Sequence, residues 1–226
     1  MMRIDILSAV PQLLSGFVDA SIVGIARKKG IAEIYVHDLH DYGLGKYRQI
    51  DDYPYGGGAG MVLRPEPVAR WIEHLQSERA YDEIIFMTPD APVLHQRAVN
   101  ALALKQNLLI IAGHYKGLDQ RIRDKYVTME WSIGDYVLSG GELPAAVLTD
   151  AIVRLLPGVL NDETSALTDS FQNGLLAPPV YTRPAEFEGM EVPPVLRSGD
   201  HRAIEQWREA QSREKIRRIR PDLLGE

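Results

Sequence analysis

The chain has 226 residues, 45% of them hydrophobic, a formal net charge of -6 and no cysteine. This length and apolar content predict a packed domain with or without a smaller appendage, and they exclude a globally disordered chain. The lack of cysteine excludes a disulfide framework, thiolate zinc sites and thiol nucleophiles, and the acidic balance argues against indiscriminate nucleic-acid binding through phosphate neutralisation.

The N-terminal run MMRIDILSAVPQLL holds one arginine and no small-residue cleavage site, so no signal peptide is expected. No apolar run approaches the roughly 18 residues of a membrane span, and a cytoplasmic protein fits best. RIDILSAV (3–10) predicts a strand. PQLLSGFVDASIVGIARKKG (11–30) predicts one helix, entered at Pro11 and left through basic residues before Gly30. AEIYVHDL (32–39) predicts a strand, and HDYGLGKYRQIDDYPYGGGAGMVL (40–63) an irregular segment. Helix, strand, helix, strand, helix and strand follow at PEPVARWIEHLQ, EIIFMTPDAP, HQRAVNALALK, NLLIIAG, LDQRIRDKY and VTMEWSIG. ELPAAVLTDAIVRLLPG (142–158) has the strongest helical pattern. The alternation predicts an α/β domain with a mainly parallel sheet flanked by helices over residues 1–160.

Residues 161–200 are rich in Pro, Gly and charge and predict a partly flexible interdomain linker. HRAIEQWREAQSREKIRRIRP regains helical spacing, with Ile204, Trp207 and Ile216 as apolar anchors, so residues 201–226 predict a small C-terminal helical domain. Its run SREKIRRIR has Arg213, Lys215, Arg217, Arg218 and Arg220 against one acid; alone, it reads as a solvated helix face.

Ligands of open parallel sheets gather at the carboxyl ends of strands. Three predicted strands end in MTPDAP (87–92), AGHYKGLDQR (112–121) and SIGDYVLSGGELP (132–144). Each loop alone reads as ordinary turn chemistry, but the set suggests one pocket built from backbone. None is a dinucleotide fingerprint or a phosphate-cradling lysine loop. The last loop has Asp135 and Glu142 but no nearby cation, so it suits a neutral or positive ligand held by backbone groups between Tyr115, Tyr136, Ile133 and Leu138. An adenosine attached to a sulfonium has that chemistry. His114 and His201 read as structural or surface groups, and no spacing of a tight metal site occurs.

PYGGGAGMVLRPE, GHYKGLDQR, SIGDYVLSGGELPA, DSFQNGLLAPPVYTRP and VPPVLRSGDHRAIEQWR, in this order, resemble the bacterial tRNA (guanine-N1)-methyltransferases of the SPOUT class, and the likeness runs nearly end to end. The resemblance implies an S-adenosylmethionine site in a deep trefoil knot, a homodimer, and methyl transfer to N1 of the guanosine directly 3′ of the anticodon in tRNA. It implies donor binding by Thr88, Pro89, Gly113, Tyr115 and the stretch Ser132, Ile133, Gly134, Asp135, Tyr136, Val137, Leu138, Gly140, Gly141 and Pro144. Gly140 and Gly141 would allow close approach, and Pro144 would start the next helix.

Neutral guanine carries a proton on N1, so the chemistry needs a base there and a group to accept charge on O6. The matching positions are Asp169 and Arg154. Without the family, Asp169 is a turn or cap aspartate, and Arg154 an exposed partner of Asp150 four residues before it. Asp51 or Asp52 is a candidate to read a guanine edge, Gly58 and Gly60 to admit the tRNA backbone, and Arg183, Arg208, Arg213 and Arg217, with Arg218, to grip phosphates of the anticodon stem-loop. Lys116 departs from the pattern: many members have a glutamate there, associated with the methionine end of the donor and with magnesium, the one other cofactor the resemblance raises. The sequence closes on RIRPDLLGE, and fewer RNA contacts are expected from that end than in longer members. Two alternatives stand beside this reading: a knotted methyltransferase of a ribose 2′-hydroxyl or another base, and a non-catalytic nucleotide-binding α/β module.

Overall fold

The structure, a computed structural model, describes residues 1–160, 169–172 and 174–224. The chain divides into two compact units, Met1–Asn161 and Asp162–Glu226. The first is built on five parallel strands: β1 (Met2–Ser8), β2 (Ala32–Asp38), β5 (Glu83–Met87), β6 (Asn107–Ala112) and β7 (Met129–Trp131), in the order β2-β1-β6-β5-β7. Two short strands, β3 (Asp51–Asp52) and β4 (Val62–Leu63), pair antiparallel inside the segment expected to be irregular.

The near-continuous apolar character of β5 and β6 follows from burial on both faces, as parallel sheets require. Ile4, Ile6, Leu108 and Ile110 face a core completed by α1 (Gln12–Asp19), α2 (Ser21–Lys28), α4 (Gln96–Leu102) and α6 (Glu142–Val153), through Leu14, Val23, Val99, Leu148 and Ile152. Leu7, Leu109 and Ile111 face a second core with Val68, Ile72 and Leu75 of α3 (Pro65–Glu78) and Ile122 of α5 (Gln120–Tyr126). This is the α/β sandwich expected from the sequence, with helices on both faces of a parallel sheet.

The single helix expected over 11–30 is two helices. The break lies at Ala20, which is extended (φ -108°, ψ 163°), and Ser21, which has φ 49°. Gly24 makes the turn possible: a β-carbon there would lie 2.3 Å from the Asp19 carbonyl oxygen.

In the second unit, β8 (Glu186–Phe187) and β9 (Met190–Glu191) form a hairpin, and Pro194–Arg197 makes one turn of 3-10 helix. α7 (His201–Ile219) is capped by Asp200, whose carboxylate accepts from the backbone N–H groups of Arg202 and Ala203. Of the expected anchors, Ile216 is fully buried, while Ile204 and Trp207 are half-buried. The Lys215 ammonium donates to the Ala177 carbonyl at 3.1 Å, tying α7 to the segment before it. The linker expected over 161–200 lies partly outside the described residues. No helix among the described residues is long and apolar enough to cross a membrane.

Candidate donor pocket

β5, β6 and β7 are neighbours, and their carboxyl ends open into one cavity of about 700 Å³. Its walls are the three loops singled out from the sequence, joined by Gly60 and Met61 of the glycine tract. The loops are stitched through backbone. Thr88 N–H donates to Trp131 C=O at 3.1 Å, Ser132 N–H to Pro92 C=O at 2.9 Å, and Leu94 N–H to Ser132 C=O at 2.8 Å. Gly141 N–H donates to Gly113 C=O, and His114 bridges Gly140. Lys116 N–H donates to Met61 C=O at 2.8 Å and Leu63 N–H to Gly117 C=O at 2.9 Å, which fastens the glycine tract to the second loop.

The two glycines before α6 serve this stitching. A β-carbon on Gly141 would lie 2.4 Å from Gly113 N, and one on Gly140 would lie 2.3 Å from the Glu142 carboxylate and 2.7 Å from the His114 ring. The close approach expected at these glycines is therefore to the protein's own β6 loop. Helix α6 starts at Glu142, with Gly141 as its cap, so Pro144 lies within the first turn and does not start the helix as expected. A proline is tolerated there because first-turn N–H groups have no intrahelical partner.

Thr88, Pro89, Gly113, Tyr115, Ser132, Ile133, Tyr136, Val137, Leu138, Gly140, Gly141 and Pro144 all line the cavity. Gly134 and Asp135 do not. Gly134 has φ 152° and lies under the Tyr136 ring, shaping the turn, while the Asp135 side chain is exposed. The turn is braced by Ser132, whose hydroxyl donates to Gly134 C=O at 2.9 Å and accepts from Gly134 N–H at 3.2 Å.

The absence of cations expected around the last loop holds only in sequence. The fold brings His114, Lys116 and Arg123 to the same cavity. Arg123 is held by Glu130 through two hydrogen bonds of 2.7 Å and by Asp90 at 3.0 Å, and these carboxylates raise its pKa. The Thr88 hydroxyl donates to Asp90, and with Arg123 it holds that carboxyl below its ordinary range. Burial raises the pKa of Tyr115, with the charge of Asp51 adding to it; Tyr115 has φ 57°. Glu142, read from the sequence as a charge of the loop, is 1% exposed and does not line the cavity. Arg123 and Asp90, which line the cavity, were missed because their placement depends on contacts between distant segments.

Asp51 and Asp52 form β3, and Asp52 is paired with Arg64 at 2.9 Å. Gly60 lines the cavity, whereas Gly58, with φ 114°, has open space around it. Arg154 follows α6 at its last turn, its N–H donating to Asp150 C=O at 3.1 Å. Asp169 belongs to the second unit and opens a turn, its C=O accepting from Gln172 N–H. In the second unit Arg183 and Arg208 are exposed; Arg213 is paired with Glu209 at 2.9 Å and Arg217 with Glu214 at 3.9 Å. The last two pairs match the solvated-face reading of that run.

Residues 2–226 match the family described as tRNA (Guanine-1)-methyltransferase TrmD. A tRNA (guanine-N(1)-)-methyltransferase of Chlorobaculum tepidum is 59% identical over 224 residues, covering 99% of this chain and 97% of its own. Proteins of the same name from Christiangramia forsetii and Bacteroides fragilis are 58% and 56% identical, over 100% and 99% of both chains. A family match that runs the length of the chain, over a backbone-built pocket at the ends of β5, β6 and β7, shows that this chain belongs to the tRNA (guanine-1)-methyltransferase family.

Proposed function

We propose that the protein transfers the methyl group of S-adenosylmethionine to N1 of the guanosine directly 3′ of the anticodon in tRNA. The observation that carries the reading is the cavity at the ends of β5, β6 and β7, which has apolar walls and a rim of main-chain groups, in a chain that matches the family throughout. The adenosine lies against Ile133, Tyr136, Leu138 and Pro144. Thr88, Pro89, Gly113 and Tyr115 close the other side, and the loops are threaded as a deep trefoil knot.

Asp169 takes the N1 proton, and Arg154 neutralises the charge that collects on O6. The N1 electron pair then attacks the methyl carbon, the carbon–sulfur bond breaks, and S-adenosylhomocysteine leaves. Arg183 and Arg208 hold phosphates, with Arg213 and Arg217 joining them on exchanging weak surface pairs for RNA. Asp51, Asp52 and the glycine tract face the anticodon loop, whose single-stranded guanosine is comparatively easy to splay out. The enzyme works in the cytoplasm as a homodimer. Leu143 and Val147 on α6 and Leu13 on α1 are each about half exposed, an apolar strip suited to a second copy.

Magnesium does not fit these residues. Among the described residues no group of three or more metal-ligating side chains converges, and Lys116 puts a positive charge into the cavity wall. No step is assigned to it.

The test is transfer of labelled methyl to tRNA transcripts that differ only at the base 3′ of the anticodon, followed by mapping of the modified atom. Label on guanine N1, lost when that guanosine is replaced, is the expected result. Label on ribose, or none, rejects it.

A further inference from the structure

The charges around the cavity are paired with one exception. Asp90 is bound by Arg123 and the Thr88 hydroxyl, and Arg123 also by Glu130. The His114 ring faces the buried Glu142 carboxylate at 3.7 Å. The Lys116 ammonium has no carboxylate partner among the described residues. Its position is nonetheless built. Its N–H is fixed by Met61 C=O, and its neighbours Tyr115 and Gly117 both have positive φ. Its stem runs along the backbone of Gly60, where a β-carbon would come within 2.7 Å of Cγ and 2.9 Å of Cε. A lysine laid along a glycine loses part of its side-chain freedom before any ligand arrives, which lowers the entropic cost of using its charge.

This inference rests on the donor reading above. S-adenosylmethionine has one anionic group, the carboxylate at the end of the molecule remote from adenine. The apolar side chains Ile133, Tyr136 and Leu138 come from the loop before α6 and Pro144 from its first turn, whereas Lys116 comes from the loop after β6. We propose that Lys116 is a specificity-determining residue whose ammonium pairs with the donor's carboxylate, so that the pocket selects an intact amino-acid end.

The experiment measures calorimetric affinity for S-adenosylmethionine and for its decarboxylated form, with wild type, Lys116→Met, Lys116→Arg and Gly60→Ala, each checked for an unchanged melting curve. Wild type should prefer the carboxylated donor on the order of tenfold, as expected for one charge-assisted pair. Lys116→Met should abolish the preference and Lys116→Arg keep it. Gly60→Ala should reduce it with the lysine still present, by displacing the stem. A preference intact in Lys116→Met, or equal loss of both compounds, overturns the proposal. So does an effect confined to tRNA affinity, which would assign the ammonium to a phosphate. Wild type that binds neither compound refutes the donor reading itself.

Discussion

The Ser8 hydroxyl donates to the buried Glu142 carboxylate at 2.9 Å, joining the end of β1 to the first residue of α6 across 134 positions of sequence. The same oxygen accepts from Val10 N–H at 3.3 Å, and the other lies 3.7 Å from the His114 ring. One carboxylate thus anchors the turn of Gly140 and Gly141 to two other segments. Ser8→Ala removes a buried donor and should cost about 1–3 kcal/mol in chemical denaturation. It should also weaken S-adenosylhomocysteine binding, because the turn it anchors forms the cavity wall. An unchanged dissociation constant would show that the anchor does not shape the pocket.

Gly141 is the tightest backbone crossing in the cavity. Gly141→Ala drives a methyl group against Gly113 N, and flanking backbone cannot yield as a flexible side chain would. The expected outcome is a destabilisation of about 1–3 kcal/mol together with loss of donor binding by calorimetry. Gly58→Ala is the contrast, since no atom crowds that position and its cost is confined to the positive φ.

Asp5 gives a dependence on pH far from the pocket. It is fully buried in β1, and burial alone would raise its pKa, but hydrogen bonds from His37, Arg3 and Tyr81 outweigh that and lower it to about 2. The folded pKa lies below the unfolded value of 3.8, so the stabilisation is complete above about pH 4 and is lost as the pH falls towards 2. The difference corresponds to about 2 kcal/mol. Asp5→Asn should melt lower than wild type at pH 7, with a gap that narrows at pH 2–3. A gap independent of pH would contradict the assignment.

Asp169→Asn keeps the shape of the side chain and removes its basicity. Methyl transfer should fall on the order of 100-fold or more with donor affinity unchanged. Single-turnover assays with saturating tRNA make the comparison, and near-normal turnover would remove Asp169 from the proton transfer.

Much of the sheet was legible because its strands are buried on both faces and read as unbroken apolar runs, as NLLIIA in β6 does. The three cavity loops were legible because strand ends marked by Gly and Pro mark turns. The break between α1 and α2 was not, because an apolar period continues across it while Gly24 permits a turn that periodicity cannot register. Glu142 read only as a charge of the last loop, and its burial follows from Ser8 and Val10, far away in sequence. The cations of the cavity were hidden for the same reason: Arg123 reaches it from α5 and Lys116 from the loop after β6. Asp169 and Arg154 are proposed on family motifs alone, since an aspartate in a turn and an arginine ending a helix carry no distinctive local pattern.

The most direct measurement is a crystal structure with S-adenosylhomocysteine and an anticodon stem-loop bound. The account predicts adenine between Ile133, Tyr136 and Leu138, with the guanine N1 in reach of the Asp169 carboxylate and O6 in reach of Arg154. Product seated away from residues 132–144, or both side chains turned from the guanine, would contradict it.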